Sequence, residues 1–135
     1  MIIVDASVAM KWVVPESGTE AALALRSERI AAPEIWIVEC ANALWRHVRL
    51  KELKENEAIR QLARLRSADV ENLPIADLLP DAFLFANELG RPVYDCLYLS
   101  AAVQNETKLI TADHRFASAV ARHAHLSQYV ELLAR

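Results

Sequence analysis

Glycine is almost missing from this chain. Among 135 residues only Gly18 and Gly90 occur. Two isolated glycines can build neither a G-x-x-x-x-G-K phosphate loop nor a G-x-G-x-x-G dinucleotide turn, so nucleotide binding through backbone cradles of those types is excluded. Cysteine is equally scarce. Cys40 and Cys96 lie in apolar helical sequence without C-x-x-C spacing, which argues against a zinc site and for two buried free thiols rather than a disulfide. No run approaches the roughly 20 apolar residues of a membrane span. The opening Met1-Ile2-Ile3-Val4-Asp5 has no basic region and meets an acid at once, so no secretory signal is expected and the cytoplasm is the expected compartment. An excess of positive charge is also lacking. The formal net charge is −3, so the chain as a whole is no cationic glove for nucleic acid.

What the chain does have is apolar sequence in short, well-separated runs. Hydrophobic residues make up 54% of it, slightly above the usual globular share, which suggests a sheet covered on both faces or an apolar oligomer interface. The length fits one domain over residues 1–135. Ile2-Ile3-Val4 is a wholly apolar, β-branched run of the kind found in buried parallel strands. Short strands are also expected at Ile30-Ala31-Ala32, Val70 to Pro74, Lys108 to Thr111 and, as a last edge strand, Ser127 to Val130. Helices are expected over Ser17 to Arg29, from Pro33 through Trp45, over Glu55 to Arg66, Leu78 to Leu89, Asp95 to Gln104 and Asp113 to Ala124. Pro33 suits a first helical turn and Gly90 suits a position just past a helix end. Alternating strands and helices predict an α/β fold with a mostly parallel sheet, in which ligands gather at the carboxyl ends of the strands.

Four acids acquire meaning from that rule. Asp5 closes the first strand, and Asp113 follows the late Leu109-Ile110-Thr111 strand by two residues. Glu39 stands among Ile35, Trp36, Ile37, Val38, Cys40 and Ala41, where an unpaired carboxylate is out of place. Asp95 opens the apolar run Cys96 to Val103. Asp95 and Asp113 also read as ordinary helix caps, and Asp5 as a strand-to-helix turn residue. Glu39 has the weakest such explanation. Carboxylates gathered in one pocket repel one another and raise each other's pKa, a conflict that a cation removes. Oxygen ligands favour Mg²⁺ or Mn²⁺ over Zn²⁺, and such an ion suits phosphodiester hydrolysis. If all four acids serve a metal, the rest of the chain carries +1 rather than −3, and the objection from net charge weakens.

The ordered set Asp5-x-Ser7, Glu39 in an apolar helix, Asp95 after Pro92-Val93-Tyr94, and Thr111-x-Asp113-x-x-Phe116 resembles the PIN-domain ribonucleases. Length and layout look most like the VapC-type toxins of toxin–antitoxin pairs. The resemblance covers essentially the whole chain. It implies a three-layer α/β/α sandwich around a mostly parallel sheet, Mg²⁺- or Mn²⁺-dependent cleavage of RNA, a homodimer and a cognate antitoxin. Carried over by position, Asp5, Glu39, Asp95 and Asp113 form the catalytic and metal-binding quartet, with Ser7 and Thr111 as polar supports. A hydroxyl two residues from an aspartate can orient it. No further acid follows Asp113, where His114 and Arg115 stand, so one firmly bound ion is expected and a second stays open.

Other residues divide between site and scaffold. Asn42 lies one turn after Glu39 and shares its face. Trp12, Trp36 and Trp45 can stack on bases, though at helical spacing they read first as core or interface. Lys11, His114 and Arg115 are candidate phosphate contacts, and His123-x-His125 is a weak metal candidate. The basic run Arg46-His47-Val48-Arg49-Leu50-Lys51 is either a solvated helix face or an RNA contact. Two other functional classes fit parts of the pattern: a PIN-like fold kept as a non-catalytic binding module, and a Mg²⁺-binding signalling receiver. The receiver needs a phosphoacceptor aspartate after a middle strand and a lysine after a later one, and neither is in place.

Overall fold

A computed structural model describes all residues, Met1–Arg135. Its frame is a five-stranded, fully parallel sheet with strand order β3-β2-β1-β4-β5. The strands are β1 (Ile2–Val4), β2 (Ile30–Pro33), β3 (Val70–Leu73), β4 (Leu109–Thr111) and β5 (Val130–Leu132). Eight helices join and flank them: α1 (Ala6–Ala9), α2 (Thr19–Ala24), α3 (Trp36–Arg49), α4 (Glu55–Arg66), α5 (Leu79–Leu89), α6 (Val93–Gln104), α7 (His114–Ala121) and α8 (Ala124–Ser127).

The central strands are buried residue after residue. Ile3, Val4, Ala31, Ala32, Leu109 and Thr111 are all fully inaccessible. Successive strand side chains point to opposite faces, so both faces of the sheet are covered and the architecture is the expected three-layer α/β/α sandwich. Helix α6 explains its own apolar sequence: from Cys96 to Ala102 every residue is buried, against β1, β2 and β4 on the sheet side and α5 on the other.

The strand order carries the functional geometry. The chain moves outward from β1 to β2 and β3, then returns to place β4 on the other side of β1. Connections therefore leave β1 and β4 in opposite directions, and a crevice opens beyond their carboxyl ends. A receiver-type sheet runs 2-1-3-4-5 instead, so that reading falls.

Several element boundaries differ from the sequence expectation. Pro33 ends β2, pairing with Leu73, and α3 starts only at Trp36. A proline lacks the N–H needed to extend the ladder, so it punctuates the strand rather than opening the helix. The helix expected over 17–29 is a regular helix only over Thr19–Ala24, tightening to a 3₁₀ turn over Leu25–Ser27. It begins behind Gly18, which adopts φ 87°. The last strand lies at Val130–Leu132 rather than 127–130, because a short helix over Ala124–Ser127 buries Leu126 first. The helix carrying Asp95 starts two residues earlier, at Val93, behind Pro92.

The core depends on α6, and this gives a direct test. Leu99 is fully buried at its centre. Leu99→Ala is expected to destabilise the protein by about 2–5 kcal/mol, read from urea denaturation midpoints at unchanged slope.

Candidate functional site

The four acids picked out in the sequence line one cavity of about 560 Å³ at the carboxyl edge of the sheet. Asp5, Glu39, Asp95 and Asp113 all contribute to its wall, with Ser7, Asn42, Arg46, Tyr94 and Tyr98 among the other polar residues. They come from four different segments: the β1–α1 turn, α3, α6 and the β4–α7 turn.

Asp5 is held by the most contacts. Its Oδ1 accepts from Ser7 Oγ at 2.5 Å and from the Val8 N–H at 3.2 Å, capping α1. Its Oδ2 accepts from the Thr111 hydroxyl. The Ala112 N–H donates to Ser7 Oγ at 3.0 Å, and the Asp113 N–H donates to Thr111 Oγ1 at 3.1 Å. Ser7 and Thr111 therefore knit the end of β1 to the end of β4 around one carboxylate. Asp113 caps α7 by accepting from the Phe116 N–H at 3.1 Å. Cap and site are compatible readings for Asp5 and Asp113, since each retains a place on the cavity wall. Asp95 is no cap: it sits in the first turn of α6, behind Pro92.

Glu39 receives a hydrogen bond from the Tyr98 hydroxyl at Oε1. Tyr98 is one of two residues that sequence reasoning missed. Its signal was present, because it follows Asp95 by three positions and so shares its helix face. The other is Arg91, four positions before Asp95. Its Nη2 stands 3.2 Å from Asp95 Oδ2 and 3.5 Å from Asp113 Oδ2.

The electrostatics follow from burial. Burial raises the pKa of Asp5, against hydrogen bonds from Ser7, Thr111 and Val8, and the charge of Asp113 adds to the rise. Burial likewise raises Glu39, opposed by Tyr98 and reinforced by Asp95 and Asp5. Asp95 is raised by burial and by Asp113, with Arg91 pulling the other way. The Tyr98 phenol is pushed far upward by burial and the Glu39 charge, so it remains a donor. Cys40 and Cys96 are buried free thiols, as expected, each pushed up to about 12.

The donor set is oxygen-only, without histidine or thiolate on the wall, which fits Mg²⁺ or Mn²⁺ rather than zinc. No three carboxylates converge on one point as a closed cage would require. Mg²⁺ does not ask for one: it keeps several waters and takes one or two carboxylates directly. Two carboxylate oxygens, Glu39 Oε2 and Asp95 Oδ1, accept no hydrogen bond from the protein.

The remaining candidates are placed elsewhere or in support. Asn42 and Arg46 follow Glu39 along one face of α3 and share its cavity. Trp12 and Trp36 are core: both are buried, they meet edge to face at 6.5 Å, and their indole N–H groups donate to Ala22 O and Asn72 Oδ1. Trp45 is exposed, under Arg49. Lys11 is committed to Glu16 and the Ser17 carbonyl. His123 and His125 both face Glu88, away from the acids.

Known proteins share this fold. The PIN domain profile matches residues 2–121. Ribonuclease VapC3 of Pyrobaculum aerophilum is 33% identical over 122 residues, spanning 86% of this chain and 92% of that protein. Among solved structures, PAE2754 from the same organism superposes with a TM-score of 0.74 at 23% identity, covering 98% of this chain and 90% of that one. VapC20 of Mycobacterium tuberculosis, a sarcin-ricin loop cleaving toxin, superposes with a TM-score of 0.66 at 17% identity, covering 88% and 95%.

The raised pKa values have a signed consequence for stability. Where the native pKa exceeds the unfolded one, the native state keeps a proton the unfolded chain has released. The stability this contributes is complete below about pH 4 and is lost as pH rises through the native values of Asp5, Glu39 and Asp95. With chelator present, Tm is expected to fall as pH rises above the ordinary carboxylate range. Asp5→Asn should flatten that fall, and a wild-type Tm that climbs over this range contradicts the assignment.

Proposed function

This chain belongs to the PIN-domain family, and we propose that it is a metal-dependent endoribonuclease of the VapC type, the toxin of a toxin–antitoxin pair. The observation that carries the reading is the meeting of four carboxylates from four chain segments in one cavity at the strand-order reversal. Such a gathering is costly unless a cation is shared. The relative named Ribonuclease VapC3 supports the substrate class.

Asp5, Glu39, Asp95 and Asp113 would hold and surround Mg²⁺ or Mn²⁺. When bound, that ion supplies an acidified water and a counter-charge for the phosphorane. The protein's own part is orientation. Ser7 and Thr111 fix the Asp5 carboxylate, and Tyr98 fixes that of Glu39. Asn42 and Arg46, further along the α3 face, line the same cavity and would contact the RNA backbone. Arg46 begins the basic run to Lys51, so the negative chain offers a local positive border to phosphate. We take residues 1–135 as one catalytic unit acting in the cytoplasm.

Two exposed apolar faces support two protein partners. One follows α3 and α4, with Trp45 and Ile59 uncovered beside a groove. The other follows α5, with Leu79, Phe83 and Leu84 uncovered. A second copy of this chain and a cognate antitoxin are the occupants this reading calls for, since patches of this kind mark interaction sites.

RNA cleavage should appear with Mg²⁺ or Mn²⁺ and vanish with EDTA and in Asp5→Asn. Full activity in Asp5→Asn would refute the quartet. Thr111→Val, which removes only the hydroxyl that orients Asp5, is expected to cost about 10–100-fold in activity or metal affinity. If calorimetry detects no metal binding, the fold is acting as a binding module instead.

A further inference from the structure

Arg91 is part of none of the motifs above, yet its guanidinium stands against two of the four acids, Asp95 and Asp113. It lies in the tight link between α5 and α6, bracketed by Gly90 at φ 66° and by Pro92. Its guanidinium carbon sits 6.0 Å from the centroid of the buried Phe116 ring. One nitrogen, Nη2, faces Asp95 and Asp113 together, while the buried Nε has no hydrogen-bond partner. An arginine placed for stability typically grips one carboxylate with its fork, and an unmet buried donor is a cost. Here a single nitrogen is divided between two acids of different elements. The arrangement is poor as a hydrogen-bond clamp and effective as a point of positive charge between two carboxylates.

We propose that Arg91 is the resident cation of the Asp95–Asp113 half of the pocket, standing where a second divalent ion would otherwise sit, so that the site takes one ion. The inference rests on the metal-dependent reading above and settles its stoichiometry. Asp113 has no idle oxygen: Oδ1 accepts from the Phe116 N–H and Oδ2 faces the guanidinium. Asp95 keeps only Oδ1 open. The uncommitted oxygens are therefore Glu39 Oε2 and Asp95 Oδ1, neither of which the arginine grips. A second divalent ion bridging Asp95 and Asp113 would have to displace a like charge whose backbone is fixed on both sides. Arg91 thus acts through the two aspartates, as a positioning residue.

The test is a count of Mn²⁺ ions per chain by electron paramagnetic resonance titration of the full-length protein, with circular dichroism to verify folding. The wild type is expected to bind one ion. Arg91→Met and Arg91→Gln, which remove the charge, are expected to bind two, and Arg91→Lys, which keeps it, one. A purely structural role lowers Tm in the neutral variants without adding an ion. Two ions on the wild type overturn the proposal whether or not any variant folds. One ion on the wild type and on a folded neutral variant alike overturns the role of Arg91 alone. No ion on the wild type overturns the metal-dependent reading, and this inference with it.

Discussion

The Asp5 carboxylate is clasped from two segments at once, by Ser7 in α1 and by Thr111 at the end of the neighbouring β4. Everything else in the pocket is arranged around that clasp. A carboxylate at the rim of a dry sheet is disfavoured by desolvation, and two hydroxyl donors with one backbone N–H work against this. The same hydroxyls accept backbone N–H groups of the β4–α7 turn, so the contacts that hold the charge also fix the turn that delivers Asp113. Charge placement and loop geometry are one network, and network members of this kind are coupled rather than additive.

Around that centre the protein tolerates what a stability-minded design would avoid. Glu39 lies in the apolar stretch of α3, Asp95 opens the most buried helix of the fold, and Arg91 leaves a donor unmet. Such local conflicts are concentrated in and beside the one cavity, while the sheet and its helices follow the ordinary rules. That contrast is the usual mark of a functional site on a consistent scaffold.

Much of this was legible in the sequence, and the reasons are specific. Ile2-Ile3-Val4 and Leu109-Ile110-Thr111 announce buried strands because both neighbours of each are strands and both faces are covered. Glu39 announces itself by its company. Arg91 and Tyr98 were hidden, since an arginine before a proline and a tyrosine in an apolar helix have bland local explanations. Only the crossing of α6 over the sheet reveals what they face. Pro33 and the last strand were misplaced for a related reason: the pairings Pro33↔Leu73 and Leu109↔Val130 are long-range facts that local pattern does not contain.

The strand order also governs timing. β1 is made well before its neighbour β4, which is completed only at Thr111, and the hydrogen bond that closes the clasp joins residues 106 positions apart. Pairing at such sequence separation is slow to form and has no early local substitute. A chain emerging from the ribosome therefore carries Asp5, Glu39 and Asp95 in turn without possessing a pocket. The site comes into being only when the segment carrying Thr111 and Asp113 is free to pair, so synthesis and competence are separated by topology.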